Sequence, residues 1–354
     1  MSAEHSFPAG GLPEAFQPVP AAVDPTDQVY SLTGYEQLVI FRNPNSRRAN
    51  EGLEPLHKLQ AAGASYGLEI ATHDTSPHSA ENIAALQTHV TPGSLIVVRA
   101  GDGGLSAMLG AVRAAKLENS VLVLPGGNKN DIATSLNIAA LLKDPDDALL
   151  RAHPQAVKPI EVSFGPEDGE LTVMDSYDNT SAGRISSHIA AAVNDPRYRN
   201  SAFLRVPGGR YLLERLVTAR TFAGARPLDV EHPDGVVRPT LDIIAANASR
   251  MAGSLRPRAD LLEQNFRLIT VQRRLGALAV AGGMMLGAPV GETVEADERR
   301  SFVLDIPEDQ PASIQVDGEE HSLPVGRVTV NFALANTGVN LLVPAPKDRF
   351  ITAA

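Results

Sequence analysis

Two short segments have the residue types and spacing for phosphate chemistry. The first, Ala100-Gly101-Asp102-Gly103-Gly104, follows the apolar run Ser94–Arg99 (SLIVVR). The second, Pro125-Gly126-Gly127-Asn128-Lys129-Asn130-Asp131, follows Ser120–Leu124 (SVLVL). Each stands where a strand ends and a helix begins. Glycine lets the backbone approach phosphate oxygens closely, and a helix N-terminus offers free N–H donors and the positive end of the helix dipole. Each segment also carries a carboxylate, Asp102 or Asp131. Among phosphate-cradling amides an acid is repulsive unless a cation lies between. Mg2+ suits this role, because it takes only one or two carboxylates beside phosphate oxygens and water. The two segments together read as a Mg-nucleotide site at adjacent strand ends. Alone, Gly-Asp-Gly-Gly is an ordinary tight turn and Asn130-Asp131 an ordinary N-cap; their matching positions favour a site. The Walker A pattern, the protein-kinase signatures, HExxH and GxSxG are absent. The nucleotide therefore belongs to another fold.

The elements that must position these turns alternate regularly. Gln37–Phe41 is a short apolar run ending in the turn Asn43-Pro44-Asn45. Gly52–Ala64 has helical spacing at Leu53, Leu56, Leu59 and Ala62. Leu68–Thr72 reads as a strand, Ser79–His89 as a helix and Gly104–Leu117 as another helix. Apolar strands alternating with helices predict a parallel sheet covered on both faces, which binds its ligand beyond the carboxyl ends of its strands. Near residue 158 the pattern changes to short alternating runs split by turn residues: Leu171–Asp175, Leu241–Ala245, Phe302–Ile306, Ser313–Val316 and Gly326–Phe332. This predicts a β-rich second domain, a β-sandwich, with one or two inserted helices near 180–222. The expected division is a flexible Pro- and Ala-rich tail over 1–34, an α/β nucleotide-binding domain over 35–158, a β-rich domain over 159–345 and a short end over 346–354.

The resemblance carried by these motifs is more specific. Asn43-Pro44-Asn45-Ser46 resembles the NPxSG turn of the diacylglycerol kinase catalytic-domain family, which includes soluble bacterial lipid kinases and sphingosine kinases. Ala100–Gly104 resembles its GGDGT, and Pro125–Asp131 its PxGTxND. Tyr177-Asp178-Asn179-Thr180-Ser181-Ala182-Gly183 resembles the segment that opens FxN and ends in Gly. Asp317-Gly318-Glu319 sits where the family carries DGE, and Val343-Pro344 resembles the closing strand. The resemblance spans about residues 37 to 345. It implies a fold shared with NAD kinases, and transfer of the γ-phosphate of ATP to a lipid hydroxyl of diacylglycerol or sphingoid type. It implies ATP contacts at Asn43, Ser46, Thr72, Gly101, Gly103, Gly104, Gly126, Gly127 and Asn130. It implies Mg2+ near Asp102 and Asp131, with Glu161 joining the metal shell where the family has Asp. For the base it points to Asp102 by comparison with sphingosine kinases, or to Asp317 and Glu319 by comparison with the bacterial enzymes. Asp317-Gly318 is equally a plain hairpin turn. The chain departs from the pattern at Ala100, at Gly104, at Arg47-Arg48, and in the acidic PDAxxDDG stretch, which is poorly kept in Pro257–Asn265. Arg47 and Arg48 either hold phosphate as planar donor forks or are simply solvated.

Composition bounds the remaining choices. The 354 residues carry 31 Lys+Arg against 41 Asp+Glu, a net charge of −10, and no Cys. Disulfide frameworks and Cys-ligated metals are excluded, and a nucleic-acid partner is disfavoured. Against that acidic background, Arg197, Arg199, Arg205, Arg210, Arg215, Arg220 and Arg226 face only Glu214 within their stretch. Such a band predicts attraction to an anionic membrane surface, at about 1 kcal/mol per charge; its alternative is a solvated helix face. Leu275–Pro289 (LGALAVAGGMMLGAP) is too short to span a bilayer comfortably, and reads as a buried helix or as one wall of a lipid pocket. The expected location is cytoplasmic, with peripheral membrane association, and the bacterial relatives imply a homodimer. Two other readings stay open: an NAD kinase-like enzyme, and a non-catalytic nucleotide- or lipid-binding relative.

Overall fold

The computed structural model describes residues 32–46, 52–127, 130–138, 152–185, 225–251, 255–272, 274–286 and 288–344. The basic stretch from Arg197 to Arg220, the inserted helices expected near 180–222, Arg47, Arg48, Asn128, Lys129 and the C-terminal end lie outside them. So does the expected tail up to Ser31. Its last residues, Leu32–Gly34, form a 3-10 turn with Leu32 buried in the first core.

The first region is a six-stranded sheet built on four parallel strands: β1 (Gln37–Arg42), β2 (Glu69–Asp74), β3 (Ser94–Ala100) and β4 (Val121–Pro125). Every residue of β3 is buried, which is why its apolar run is continuous rather than alternating. The covering helices are α1 (Glu54–Ser65), α2 (Ser79–His89) and α3 (Asp102–Ala114). Leu105, Met108, Leu109 and Val112 of α3 recur at helical spacing and are buried. At Gly63 of α1 an added Cβ would stand 2.5 Å from Leu38 Cδ1, so glycine there sets how closely helix and sheet meet.

The strand order is β2-β1-β3-β4-β18-β5, with β5 (Ala152–Val157) and β18 (Val339–Pro344) as an antiparallel pair at one side. The chain thus leaves β1 in one direction to β2, then crosses back to β3. That reversal opens a crevice beyond the carboxyl ends of β1 and β3. The closing strand, expected within the second domain, is instead hydrogen-bonded into this first sheet beside β4. Its apolar residues Val339, Leu341, Leu342 and Val343 are buried in the first core, not the second.

The second region is β-rich. One six-stranded antiparallel sheet has the order β10 (Val237–Thr240), β9 (Leu228–Glu231), β14 (Arg299–Ile306), β17 (Gly326–Leu334), β6 (Ile160–Pro166) and β7 (Thr172–Ser176), and the other β13 (Glu292–Glu295), β12 (Asn265–Val271), β11 (Asp242–Ala246), β8 (Asn179–Gly183), β15 (Ser313–Val316) and β16 (Glu319–Ser322). One apolar cluster draws Val162, Phe302 and Phe332 from the first sheet and Ile243, Phe266 and Ile314 from the second. The strands used below are β6 (Ile160–Pro166), β7 (Thr172–Ser176), β8 (Asn179–Gly183), β15 (Ser313–Val316) and β16 (Glu319–Ser322). The apolar helix α5 (Arg274–Met285) buries Met284 but leaves Met285 and Leu286 exposed, so its end is not the fully buried helix expected. Among the described residues no helix is long and apolar enough to cross a membrane.

Candidate active site

The two glycine-rich turns meet back to back at the ends of β3 and β4. The Gly126 N–H donates to Ala100 O at 2.9 Å. A Cβ added at Gly127 would lie 2.6 Å from Gly101 Cα, and one at Gly126 would lie 3.1 Å from Ala100 backbone atoms. None of Gly101, Gly103, Gly104, Gly126 or Gly127 has positive φ. Glycine is required there by close approach, not by backbone conformation. Asn130 does take a left-handed φ of 51°. Its amide closes the second turn on itself: Gly127 N–H donates to Asn130 Oδ1 at 2.8 Å, and Asn130 Nδ2 donates to Gly127 O at 3.0 Å. Asn43 follows β1, and its N–H donates to Arg99 O at 3.0 Å. Ser46 Oγ donates to Gly126 O. The turns after β1, β3 and β4 therefore form one assembly at the crevice.

Asp102 opens α3 in the middle of this assembly. Its Oδ1 accepts from Ile132 N–H at 3.3 Å, at the start of α4 (Asp131–Ser135). Burial and the neighbouring charge of Asp131 push its carboxyl up to about 6, with Asp317 adding to the rise. Asp131 is buried. Asp178 is buried too, and burial together with Asp317, Asp131 and Asp102 pushes its carboxyl well above the usual range. Four carboxylates thus gather where the two regions meet.

Asp317 is fixed differently from the other three. Asp317 and Gly318 have φ of 48° and 91° and join β15 to β16, with Val316 paired to Glu319. Positive φ at both central residues is the two-residue hairpin that Asp-Gly favours. The carboxylate accepts five hydrogen bonds. Oδ1 takes Ser176 Oγ at 2.6 Å and the N–H groups of Asp178 and Asn179 at 3.0 Å each. Oδ2 takes Tyr177 N–H at 2.9 Å and Ser106 Oγ. Both oxygens are committed, so Asp317 has no room to accept a substrate proton. It ties the turn between β7 and β8 to the buried face of α3. Burial still raises its carboxyl, against the pull of these donors.

The other expected residues are not brought to this group. Glu161, on β6, lies 3.9 Å from Arg113 Nη2, and Arg113 also binds Asp175 through two contacts of 2.8 and 2.5 Å. Arg113 stands eleven residues beyond Asp102 on α3, about 16 Å along the helix. Glu161 thus braces the far end of α3 and is not a neighbour of the Asp102 carboxylate. Thr72 is exposed on the edge strand β2, separated from β3 by β1. Glu319 is exposed at the start of β16. Among the described residues no three metal-ligating side chains are grouped to hold an ion by themselves.

Comparison with known proteins finds a similarity over the first part of the chain. The diacylglycerol kinase catalytic domain family model matches residues 37–163. That match covers the parallel strands, both glycine turns and the start of the second region. The whole fold is similar to two structures from Bacillus anthracis str. Sterne, the first a crystal structure of a diacylglycerol kinase. It is 13% identical and has a TM-score of 0.56, covering 88% of this chain and 98% of the other. The second has a TM-score of 0.60 at the same identity and coverage. Comparison with curated protein sequences gives no match.

Within the matched residues the AGDGG departure has a steric reading. A Cβ at Gly104 would stand 3.3 Å from Ala100 Cβ and 2.9 Å from Asn43 Nδ2. The Asn43 amide, and beyond it the methyl of Ala100, occupy room that a threonine at 104 would need. Several functional neighbours were not singled out in the sequence. Ser106 and Ser176 read as ordinary small residues, although Ser106 interrupts an apolar helix face. Asp178 was hidden inside a motif defined by its neighbours. Arg99 is the next-to-last residue of the buried strand β3 and sits beside Arg42 in register. A charged residue within a buried strand was the signal available there.

Proposed function

We propose that the chain is an ATP- and Mg2+-dependent lipid kinase that transfers the γ-phosphate of ATP to a lipid hydroxyl. The observation that carries this is the abutment of the two glycine turns at the ends of β3 and β4, with Asp102 between them, inside the residues matched by the diacylglycerol kinase catalytic domain family. Free N–H groups at the start of α3 suit phosphate oxygens. Asp102 is the best base of the three expected. Asp317 is saturated by donors, and Glu319 stands on an exposed strand. Asp102 is held near neutrality by burial and Asp131, which matches a general base working near pH 7.

In this reading Asp102 accepts the proton of the lipid hydroxyl as the new oxygen–phosphorus bond forms. The bond to the bridging oxygen of ADP breaks in line, and ADP leaves. The fit to a divalent cation rests on the buried acids beside the turns. Asp131, the buried carboxylate of the second glycine turn, would hold it, and the ion would supply positive charge against the phosphate oxygens. The two antiparallel sheets are read as a β-sandwich that presents the lipid to Asp102, and the clamp of Asp317 on α3 sets their mutual position. The Arg197–Arg226 band is read as a dock for an anionic membrane surface, at the cytoplasmic side, and a homodimer is the assembly implied by resemblance.

The test is transfer of label from γ-labelled ATP with Mg2+ to diacylglycerol, sphingosine, ceramide and phosphatidylglycerol in mixed micelles, with NAD in a parallel tube. Label in one of the lipids is expected. Label in NAD alone would overturn the lipid reading and leave phosphotransfer standing. ATP binding without transfer to a widened panel of lipids would make the chain a non-catalytic relative.

A further inference from the structure

The second sheet of the β-rich region is apolar on both faces. Along β12, Phe266 and Leu268 belong to the core shared by the two sheets, while Ile269 and Val271 join Ile244 and Met284 in a separate cluster. Neighbours along a strand point to opposite faces, so the outer face is the one that α5 covers. The helix then runs past that cover. Its last turn is closed by Leu286 N–H donating to Gly282 O at 3.0 Å and Ala288 N–H donating to Gly283 O at 2.8 Å. On that turn Met285 is 56% exposed and Leu286 88% exposed. The two hydrogen bonds make this a fixed apolar tip rather than a frayed end, and burial of so open a leucine would be favourable.

The charge around the tip is one-sided. Residues 247–259 and 264–291 hold six arginines and no acid, in a chain of net charge −10. Backbone bonds bring the first of these stretches to the tip. Met251 and Leu255 pair with each other and pack against the cluster under α5. Arg256 N–H donates to Met284 O at 3.1 Å, one residue from Met285. Arg267, between Phe266 and Leu268 and so on the outer face, donates from Nε to Arg258 O at 3.4 Å. Arg256 and Arg258 are exposed. Arg42, Arg113, Arg238, Arg300 and Arg327 each pair with an acid, but among the described residues Arg250, Arg256, Arg258 and Arg267 pair with none. Their planar forks suit phosphate oxygens. A two-fold contact with a second copy would set these arginines against each other, whereas a phospholipid surface offers both phosphate and an apolar layer. Apolar residues at the acyl boundary with basic ones at the headgroups is the arrangement of an element lying in a membrane interface.

We propose that the tip of α5 inserts Met285 and Leu286 into the apolar layer of an anionic phospholipid surface, while Arg250, Arg256, Arg258 and Arg267 meet its phosphate groups. No described helix is long and apolar enough to cross a membrane, so the tip enters one leaflet. The proposal rests on the lipid-kinase reading for the need to reach a bilayer. To the charge of the Arg197–Arg226 band it adds an element that enters the lipid.

The chain has no Trp, so Leu286→Trp installs a single reporter at the tip. Val237→Trp, at an exposed position on β10 of the other sheet, is its control. Each full-length variant is titrated with vesicles of phosphatidylcholine alone and of phosphatidylcholine mixed with phosphatidylglycerol, without ATP or acceptor. With the mixed vesicles the tip should give blue-shifted emission that brominated acyl chains quench, and the control should give neither. In co-sedimentation, Leu286→Ser should weaken binding to mixed vesicles by about tenfold or more. Arg256→Glu should weaken it by about tenfold, and less at high salt. Both side chains are exposed, so unfolding midpoints should stay at the wild-type value. An unshifted tip, wild-type affinity in Leu286→Ser, or a wild-type chain that ignores mixed vesicles would overturn the proposal. So would a blue shift that grows with protein concentration in the absence of lipid, which assigns the tip to a second copy. Vesicle binding is read without phosphotransfer, so failure here and failure of the kinase reading are told apart.

Discussion

Replacing Asp317 should make the protein less stable before it makes it slower. In Asp317→Ala the N–H groups of Tyr177, Asp178 and Asn179 all lose their acceptor at once. A buried donor left unsatisfied costs about 1–3 kcal/mol. Three would cost about 3–9 kcal/mol before water enters the space vacated. Ser106 and Ser176 can rotate to other acceptors, and repulsion on Asp102 and Asp178 is relieved. A net loss of about 3–5 kcal/mol remains, the range seen when one partner of a buried ionic network is removed. Against a typical total of about 5–15 kcal/mol this is severe. Asp317→Asn keeps one acceptor oxygen but turns an NH2 toward the Tyr177 N–H or the Asp178 and Asn179 N–H pair, for about 1–3 kcal/mol. In urea the alanine variant should unfold at a midpoint about 1–2 M lower, at a slope of about 3 kcal/mol/M, since the slope grows with the surface exposed and this chain is long. A wild-type urea midpoint in Asp317→Ala, with turnover lost, would refute the positioning role and restore Asp317 as the base.

Three further outcomes follow from the same geometry. Asp102 has a folded-state pKa raised to about 6 from 3.8, so the folded protein binds a proton before the unfolded chain does. Stability should therefore rise as pH falls from about 6 toward 4, and Asp102→Asn should be more stable than wild type at pH 7, by on the order of 1–2 kcal/mol, with the gain fading near pH 4; unfolding midpoints across that range check it. Gly127→Ala must push its turn off Gly101, from a Cβ contact of 2.6 Å. It should cost about 1–3 kcal/mol and weaken ATP binding, both measurable by calorimetry. Gly104→Thr must displace the Asn43 amide, 2.9 Å from the added Cβ, as well as crowd the Ala100 methyl at 3.3 Å; it should cost about 1–3 kcal/mol, with Ala100→Gly relieving only part of the loss in a double-mutant cycle, and a wild-type unfolding midpoint in Gly104→Thr would deny the crowding.

The parallel sheet was the part most legible in the sequence. SLIVVR and SVLVL are buried on both faces, so their apolar runs are unbroken and their ends are marked by the glycines that follow. The helix over Ser79–His89 and the strand over Ser313–Val316 have their expected limits. What was hidden depends on contacts distant in sequence. Val339–Pro344 returns to the first sheet, and nothing local in an apolar strand states which sheet it joins. Asp317-Gly318 announced its hairpin, but not that its carboxylate would bind Ser106, 211 residues away. Glu161 occupied the family's acidic position, yet Arg113 captures it, a pairing visible only once α3 and β6 are packed. Asp178 looked like filler inside a motif, and its significance is its burial.

The most direct test of the central claim compares wild type with Asp102→Asn in single-turnover transfer from γ-labelled ATP to the acceptor lipid. The variant should keep the fold, retain ATP binding and lose transfer by about 10²- to 10⁴-fold, the span usual for removing a general base. Transfer at the wild-type rate in Asp102→Asn would contradict the account, because the carboxylate between the two glycine turns would then have no part in the chemistry.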